Sequence, residues 1–405
     1  ITNCENIYFN DMTFQAEIPS SLTGKIIEGN TETKTLKVEV DQEFNPLVKE
    51  LLLNKKSLRS WVEFGQINKT PLEGGNFLVD SFKGYTISEQ TNGNYQIEVT
   101  FSTGISRPRN GTLVALQFSQ YDARGASISS SNNIYFENIT MHNAYGMALV
   151  ASSTSNLYLN RFNLSIKENS ASLMTATADA LHFEKMSGNV EVTNSIIENS
   201  HDDALNIKSF YTKVTNVNAS SKEIDIAQTQ NEVAIPYVVG DTIDIYNPEN
   251  MEFIDTFKIV DIAKIGTSYT LTVDKRPSKV KVGQTVGNAS KITKMTLDNC
   301  IIRNKRNRGI LLQSRKSKII NCTFQNVVMG AIQVLAVNDI FKEAIVPQDI
   351  EIANNKFLNN YNDLSVFAYG DNSSKCVSGT IKNVDIHNNY FFNGHGDTIW
   401  ILANT

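Results

Sequence analysis

A degenerate motif, apolar-x-Asn-x-x-apolar-x-Asn, recurs along this chain and restricts its fold more than any other feature. It occurs at Phe136/Asn138/Met141/Asn143, Val192/Asn194/Ile197/Asn199, Leu297/Asn299/Ile302/Asn304, Ile319/Asn321/Phe324/Asn326, Ile352/Asn354/Phe357/Asn359 and Ile386/Asn388/Phe391/Asn393. The tightest interval, Asn299 to Asn321, is 321 − 299 = 22 residues, the length of one turn of a coiled sheet. Stacked turns bring equivalent residues about 4.8 Å apart, so a repeated Asn can form an amide ladder along the stack. Asn also tolerates the left-handed backbone of a sharp bend. Leucine-rich repeats share a recurring Asn but need more Leu and more helix than this sequence offers. The expected fold is therefore all-β, a right-handed parallel β-helix.

Two stretches depart from the motif. Residues 17–117 and 217–291 contain short alternating runs such as Lys34–Val40, Tyr95–Phe101, Glu223–Ile226 and Tyr269–Val273, with turn signals at Asn92-Gly93 and Asn110-Gly111. Both read as inserted antiparallel β-barrel-like modules. The coil is then assigned residues 1–16, 118–216 and 292–405. Ser165 to Ala178 is too long for a simple turn and is expected to form a loop beside Asp179. Residue 1 enters in mid-pattern, which leads to the expectation of a preceding segment with an export signal, and so of an extracytoplasmic setting.

Bulk properties exclude several classes. A net charge of −5 offers no basic field for nucleic acid, and no run of about 20 apolar residues spans a bilayer. The four cysteines, Cys4, Cys300, Cys322 and Cys376, have no zinc-like spacing. Cys300 and Cys322 occupy matching repeat positions and read as small core fillers. No cofactor or metal ligand is assigned, and a homo-oligomer is left open.

The chemistry concentrates in Ala178-Asp-Ala-Leu-His-Phe183 and its echo His201-Asp-Asp-Ala-Leu-Asn-Ile-Lys208. Asp203 follows Asp179 by 203 − 179 = 24 residues, one turn, so Asp179, Asp202 and Asp203 should meet. A lone Asp at a strand start is ordinarily a turn residue. Stacked carboxylates repel, so a scaffold has little reason to keep three together without a function. Aligning the second strand of each turn gives a first column of Tyr145, Asp179, Asp203 and Arg308, and a small-residue column of Gly146, Ala180, Ala204, Gly309 and Gly330. Glu184, Lys208 and Gln313 would form an outward polar column. Alternation sends His182 and Asn206 outward. One protonated and one ionised carboxylate are the minimal equipment of a glycosidase, separated by about 6.5–9.5 Å when inversion requires a water between them. Asp179 and Asp203 would hold the water, and Asp202 would face the leaving oxygen. Arg308, His182, His201, Asn206 and Lys208 are the candidate substrate-binding residues.

These blocks, with Arg306-Asn-Arg-Gly-Ile-Leu-Leu-Gln313, resemble the catalytic blocks of glycoside hydrolase family 110. The resemblance implies an inverting, metal-independent exo-α-1,3-galactosidase on a β-helix with inserted barrels. Its partner would be a glycan ending in α-galactose. It also implies Asp202 as general acid and Asp179 with Asp203 as the water-activating pair. Lys208 stands where that family is expected to carry His. Asp202-Asp-Ala-Leu-Asn-Ile-Lys-Ser209 is also similar to the paired-Asp block of family 28 polygalacturonases, but their Gly-His-Gly is expected one turn later. Here it is Gly394-His-Gly396, several turns too late. A non-catalytic glycan-binding adhesin and a polysaccharide lyase complete the alternatives.

Overall fold

The computed structural model describes all residues except 73–81, 104–107, 228–234, 267, 292, 372–373 and 403–405. The described chain is nearly all β. Two long sheets contain it from residue 126 onward, apart from the insertion described below. One is a 13-stranded sheet and the other a 9-stranded sheet, parallel throughout except where Glu343–Ala344 pairs antiparallel with Leu205–Phe210. The chain alternates between them: Asn132–Met141 in the first leads to Leu149–Ser152 in the second, Ser155–Leu164 to Leu181–Glu184, and Ser187–Thr193 with Ile196–Glu198 to Leu205–Phe210. The alternation resumes from Thr293–Asp298 and Ile301–Lys305 to Arg308–Leu312 and ends at Ile399–Ile401. Glu5–Phe14 joins the first sheet by pairing with Asn132–Met141.

The recurring Asn residues account for the bends. Asn194, Asn199, Asn299, Asn304, Asn321, Asn326, Asn354, Asn359, Asn388 and Asn393 all have φ between 52° and 57°. That left-handed geometry is costly for most residues and cheap for Asn. Their amides also bond along the stack: Asn299 Nδ2 donates to Asn194 Oδ1 at 2.8 Å, Asn326 to Asn304 at 3.0 Å and Asn393 to Asn359 at 2.9 Å. The inward apolar positions form one continuous core, with stacked rings at Phe324–Phe357 and Phe357–Phe391 (centroids 5.2 and 4.7 Å apart). Cys300 and Cys322 are free, buried neighbours in this stack.

Register differs from the expectation in two rows. Leu149 pairs with Leu181, which places Met147 rather than Tyr145 in the column of Asp179 and Asp203. Arg308 pairs with Gly330, so the small column is Ala148, Ala180, Ala204, Gly309 and Ala331. In three turns the first inward residue follows the second Asn by six, 149 − 143 = 205 − 199 = 310 − 304 = 6, and after Asn359 by 364 − 359 = 5. Matching small residues by type ignored this spacing. Gly309 has its own reason: a Cβ there would lie 2.3 Å from the Ala331 carbonyl oxygen.

The departures from the motif are the other two sheets. Strands between Thr212 and Asn288 form a closed six-stranded antiparallel barrel around Val214, Ile224, Ile243, Phe257 and Leu271. Strands between Ser21 and Gln117 form a six-stranded antiparallel sheet whose end strands, Ser60–Phe64 and Phe82–Glu89, do not pair among the described residues. Among the described residues this sheet stays open. Its open side is filled instead by a helix, Asn45–Asn54, that the strand pattern did not suggest. Pro46 opens the helix, and Leu47, Val48 and Leu51 enter the sheet's core. The stretch before Asp179 is a loop, as expected. Its Leu173 and Met174 pack against Val62, Phe64 and Ala115 of this sheet.

Candidate active site

Each carboxylate is delivered by a turn that enters the second sheet. Asp179 lies two residues before Leu181, and Asp203 lies two before Leu205, its partner on the next turn. One oxygen from each of Asp179, Asp202 and Asp203 comes within 4.8 Å of the other two. The cluster is therefore real, and tighter than the expected 6.5–9.5 Å. Asp179 and Asp203 are buried, while Asp202 remains partly open to solvent.

Asp179 Oδ2 lies 2.6 Å from His182 Nδ1, and its Oδ1 accepts the Asp203 N–H at 3.1 Å. A carboxylate partner fixes the imidazole proton on Nδ1. His182 projects outward as expected but is buried, and its ring is committed to Asp179. Asp203 meets Arg308 through both oxygens, each 3.2 Å from Nη1. Arg308 also donates from Nε to Gln333 at 2.8 Å. Asp202 Oδ1 accepts from the Asn307 amide, which also lies 3.5 Å from Asp203 Oδ1.

The electrostatics separate these groups from ordinary surface acids. Burial, reinforced by Asp179, pushes Asp202 up to about 6, against the pull of Asn307, Arg308 and Lys305. Burial also raises Asp203, with Asp202 and Asp179 adding to it and Arg308 opposing. Asp202 and Asp203 titrate as an interacting pair, so a proton is retained between them above the usual carboxylate range. Tyr121 stands close enough to feel all three charges, and its hydroxyl is raised by burial and then by Asp202, Asp179 and Asp203.

The other sequence-derived candidates fall into different places. Asn206 lies beside His182 on the outward column, buried, with no partner for its Oδ1. Lys208 is engaged by Glu343 and lies over the Phe210 ring, 4.9 Å from its centroid. His201, read from the sequence as a sugar donor, is fully buried with Nε2 3.2 Å from Ser60 Oγ of the inserted sheet. It faces the scaffold because the first turn position after the bend points into the interface with that sheet. Sequence reasoning missed Lys305, Asn307 and Tyr121. Lys305 and Asn307 had a signal in retrospect, a cluster of donors in Lys305-Arg-Asn-Arg308 one turn above the paired Asp.

Three oxygens at this spacing are also what a cation would seek. The surroundings fit poorly: Arg308 contacts Asp203 directly, and the Lys305 ammonium is bonded to the Asp202 carbonyl, so two positive charges already meet the cluster. Among the described residues, no helix is long and apolar enough to cross a membrane.

No protein-family model matches the chain. It is similar to alpha-1,3-galactosidase A of Bacteroides fragilis, 23% identical over 256 residues covering 62% of this chain and 42% of that protein. It is similar to alpha-1,3-galactosidase B of Phocaeicola vulgatus, 24% identical over 313 residues covering 72% of this chain and 50% of that one. Alpha-1,3-galactosidase B of Parabacteroides distasonis is 27% identical over 274 residues, 64% and 44% of the two chains. The chain thus spans half or less of the length of these curated relatives.

Proposed function

We propose that this chain is a glycoside hydrolase of the family 110 type, wound as a right-handed parallel β-helix, that releases terminal α-1,3-linked galactose from glycans with inversion. The observation that carries the reading is the carboxylate cluster, in which the partly exposed Asp202 lies against buried Asp179 and Asp203 and is pushed up to about 6. The names of the relatives support the sugar and the linkage.

In this reading Asp202 protonates the glycosidic oxygen, and Asp179 with Asp203 holds the attacking water and takes its proton. Spacing alone resembles the ~5–5.5 Å of a retaining pair. The occupancy of the oxygens favours water instead: Arg308 holds both oxygens of Asp203, and His182 with the Asp203 N–H holds those of Asp179. Carboxylates anchored on both oxygens orient a water well and make poor in-line nucleophiles. The unpartnered Asn206 Oδ1 suits a sugar hydroxyl, and Tyr121 forms part of the rim. A galacturonate site would need free cations, whereas Lys208 is engaged by Glu343 and Arg308 by Asp203. The substrate would place the reaction outside the cytoplasm.

The test is hydrolysis of Galα1-3Gal beside α- and β-linked aryl galactosides, with the first-formed anomer read by NMR. The expected product is β-galactose, with turnover unaffected by a chelator. Asp202→Asn should lower kcat by about 10²–10⁴-fold, the usual worth of a general acid. First-formed α-galactose would overturn inversion, and glycan binding without turnover would return the chain to the adhesin class.

A further inference from the structure

Lys305 is the one buried lysine beneath the cluster that the reaction above does not use. It ends the strand Ile301–Lys305, has no exposed surface, and sits in a column otherwise occupied by Ser200 one turn below and Val327 one turn above. An ammonium there costs solvation that serine or valine would not. Its Nζ compensates with three acceptors: Ser200 O at 2.8 Å, Ser200 Oγ, and Asp202 O at 2.6 Å. Three acceptors match the three hydrogens of the charged form. They also hold both ends of the segment Ser200-His201-Asp202 that presents the acid.

We propose that Lys305 is a counter-charge of the carboxylate cluster, a positioning residue that pins the Asp202 peptide and favours the ionised form of Asp202 and Asp203. The charges support this. Arg308, Arg306 and Lys305 are the cations that face the carboxylates, and removing the Lys305 ammonium favours protons on Asp202 and Asp203. Burial lowers Lys305 to about 7, with Asp203, Asp202 and Asp179 pulling it back up. The other groups around Asp202 are Arg306, Arg308, Asn307 and Tyr121, with His182 on the far side of Asp179.

This inference rests on the hydrolase reading only for its activity readout. Lys305→Met keeps the length and apolar stem of the side chain and removes the charge. Loss of a nearby cation favours the protonated form of every carboxylate, so both limbs of the kcat/KM profile should move to higher pH by about one unit. Limbs that stay in place while thermal stability falls would reduce Lys305 to a structural residue and overturn the proposal. A second readout is independent of activity. In Lys305→Met the uncompensated charge at Asp202 should lower Tm at pH 6.5, where the parent's lysine is charged, but far less at pH 4, and Asp202→Asn should raise Tm at pH 6.5 by more in the Lys305→Met background than in the parent. An Asp202→Asn gain no larger in Lys305→Met than in the parent at pH 6.5 would also overturn the proposal, whatever the enzyme assay gives.

Discussion

Asp202 keeps its carboxyl proton to about pH 6 because burial and the charge of Asp179 oppose ionisation, and Asn307, Arg308 and Lys305 only partly offset them. A carboxyl that binds its proton more tightly when folded contributes stability fully present below its unfolded value near 4 and lost as pH rises through about 6. Asp202→Asn should therefore be more stable than the parent at pH 8, by on the order of 1–3 kcal/mol. The two should be equal near pH 3, and urea titrations at the two pH values would read the difference. The parent's activity should fall above an apparent value near 6 as the acid loses its proton, and a kcat/KM profile flat from pH 5 to 8 would remove Asp202 from that role. Asp179, Asp203 and Arg308 were legible because the Asp-Ala-Leu echo and the turn length fix their column. Asn307 and Lys305 were not, since they lie before the aligned strand that begins at Arg308, where the turn length alone does not say which way a side chain points.

At the scale of the element, the bend is built from Asn because it needs both a left-handed backbone and an amide that bonds to the next turn. Asn299 does both, with φ 53° and a 2.8 Å bond to Asn194. Asn299→Gly should cost about 1 kcal/mol, the net worth of one hydrogen bond, since glycine accepts the geometry. Asn299→Val should cost more, because the branched side chain adds strain in the same backbone. Equal losses in chemical denaturation would mean that the backbone geometry is not what asparagine supplies. Periodicity made the bends and the inward apolar positions readable. It did not make the register readable, because small residues recur one or two positions apart, as Gly330 with Ala331 and Gly146 with Ala148, so matching them by type shifts the alignment.

In the whole molecule, the two antiparallel units meet the parallel sheets through apolar clusters and partly buried polar contacts, with no strand shared among the described residues. Arg315 Nη2 donates to Asp244 Oδ2 and to the Tyr246 hydroxyl of the barrel, both at 2.8 Å, and Tyr145 donates to the Ile18 carbonyl at 2.6 Å. Arg315→Ala leaves Asp244 buried without its cation and should destabilise the protein by about 3–5 kcal/mol. Loss of the barrel's amide protection ahead of the rest in hydrogen exchange would locate the effect. Ser60 reaches His201 from the other unit, next to Asp202. By itself the sequence determined the two long parallel sheets, the asparagine bends and the meeting of three carboxylates, because stacking repeats a local pattern at a fixed spacing. Only the tertiary structure decided that one inserted unit closes into a barrel while a helix fills the other, that His201 turns into an interface, and that Lys305 lies beneath the acid. These depend on which distant surfaces compete for the same burial and the same acceptors, and no local period encodes that competition.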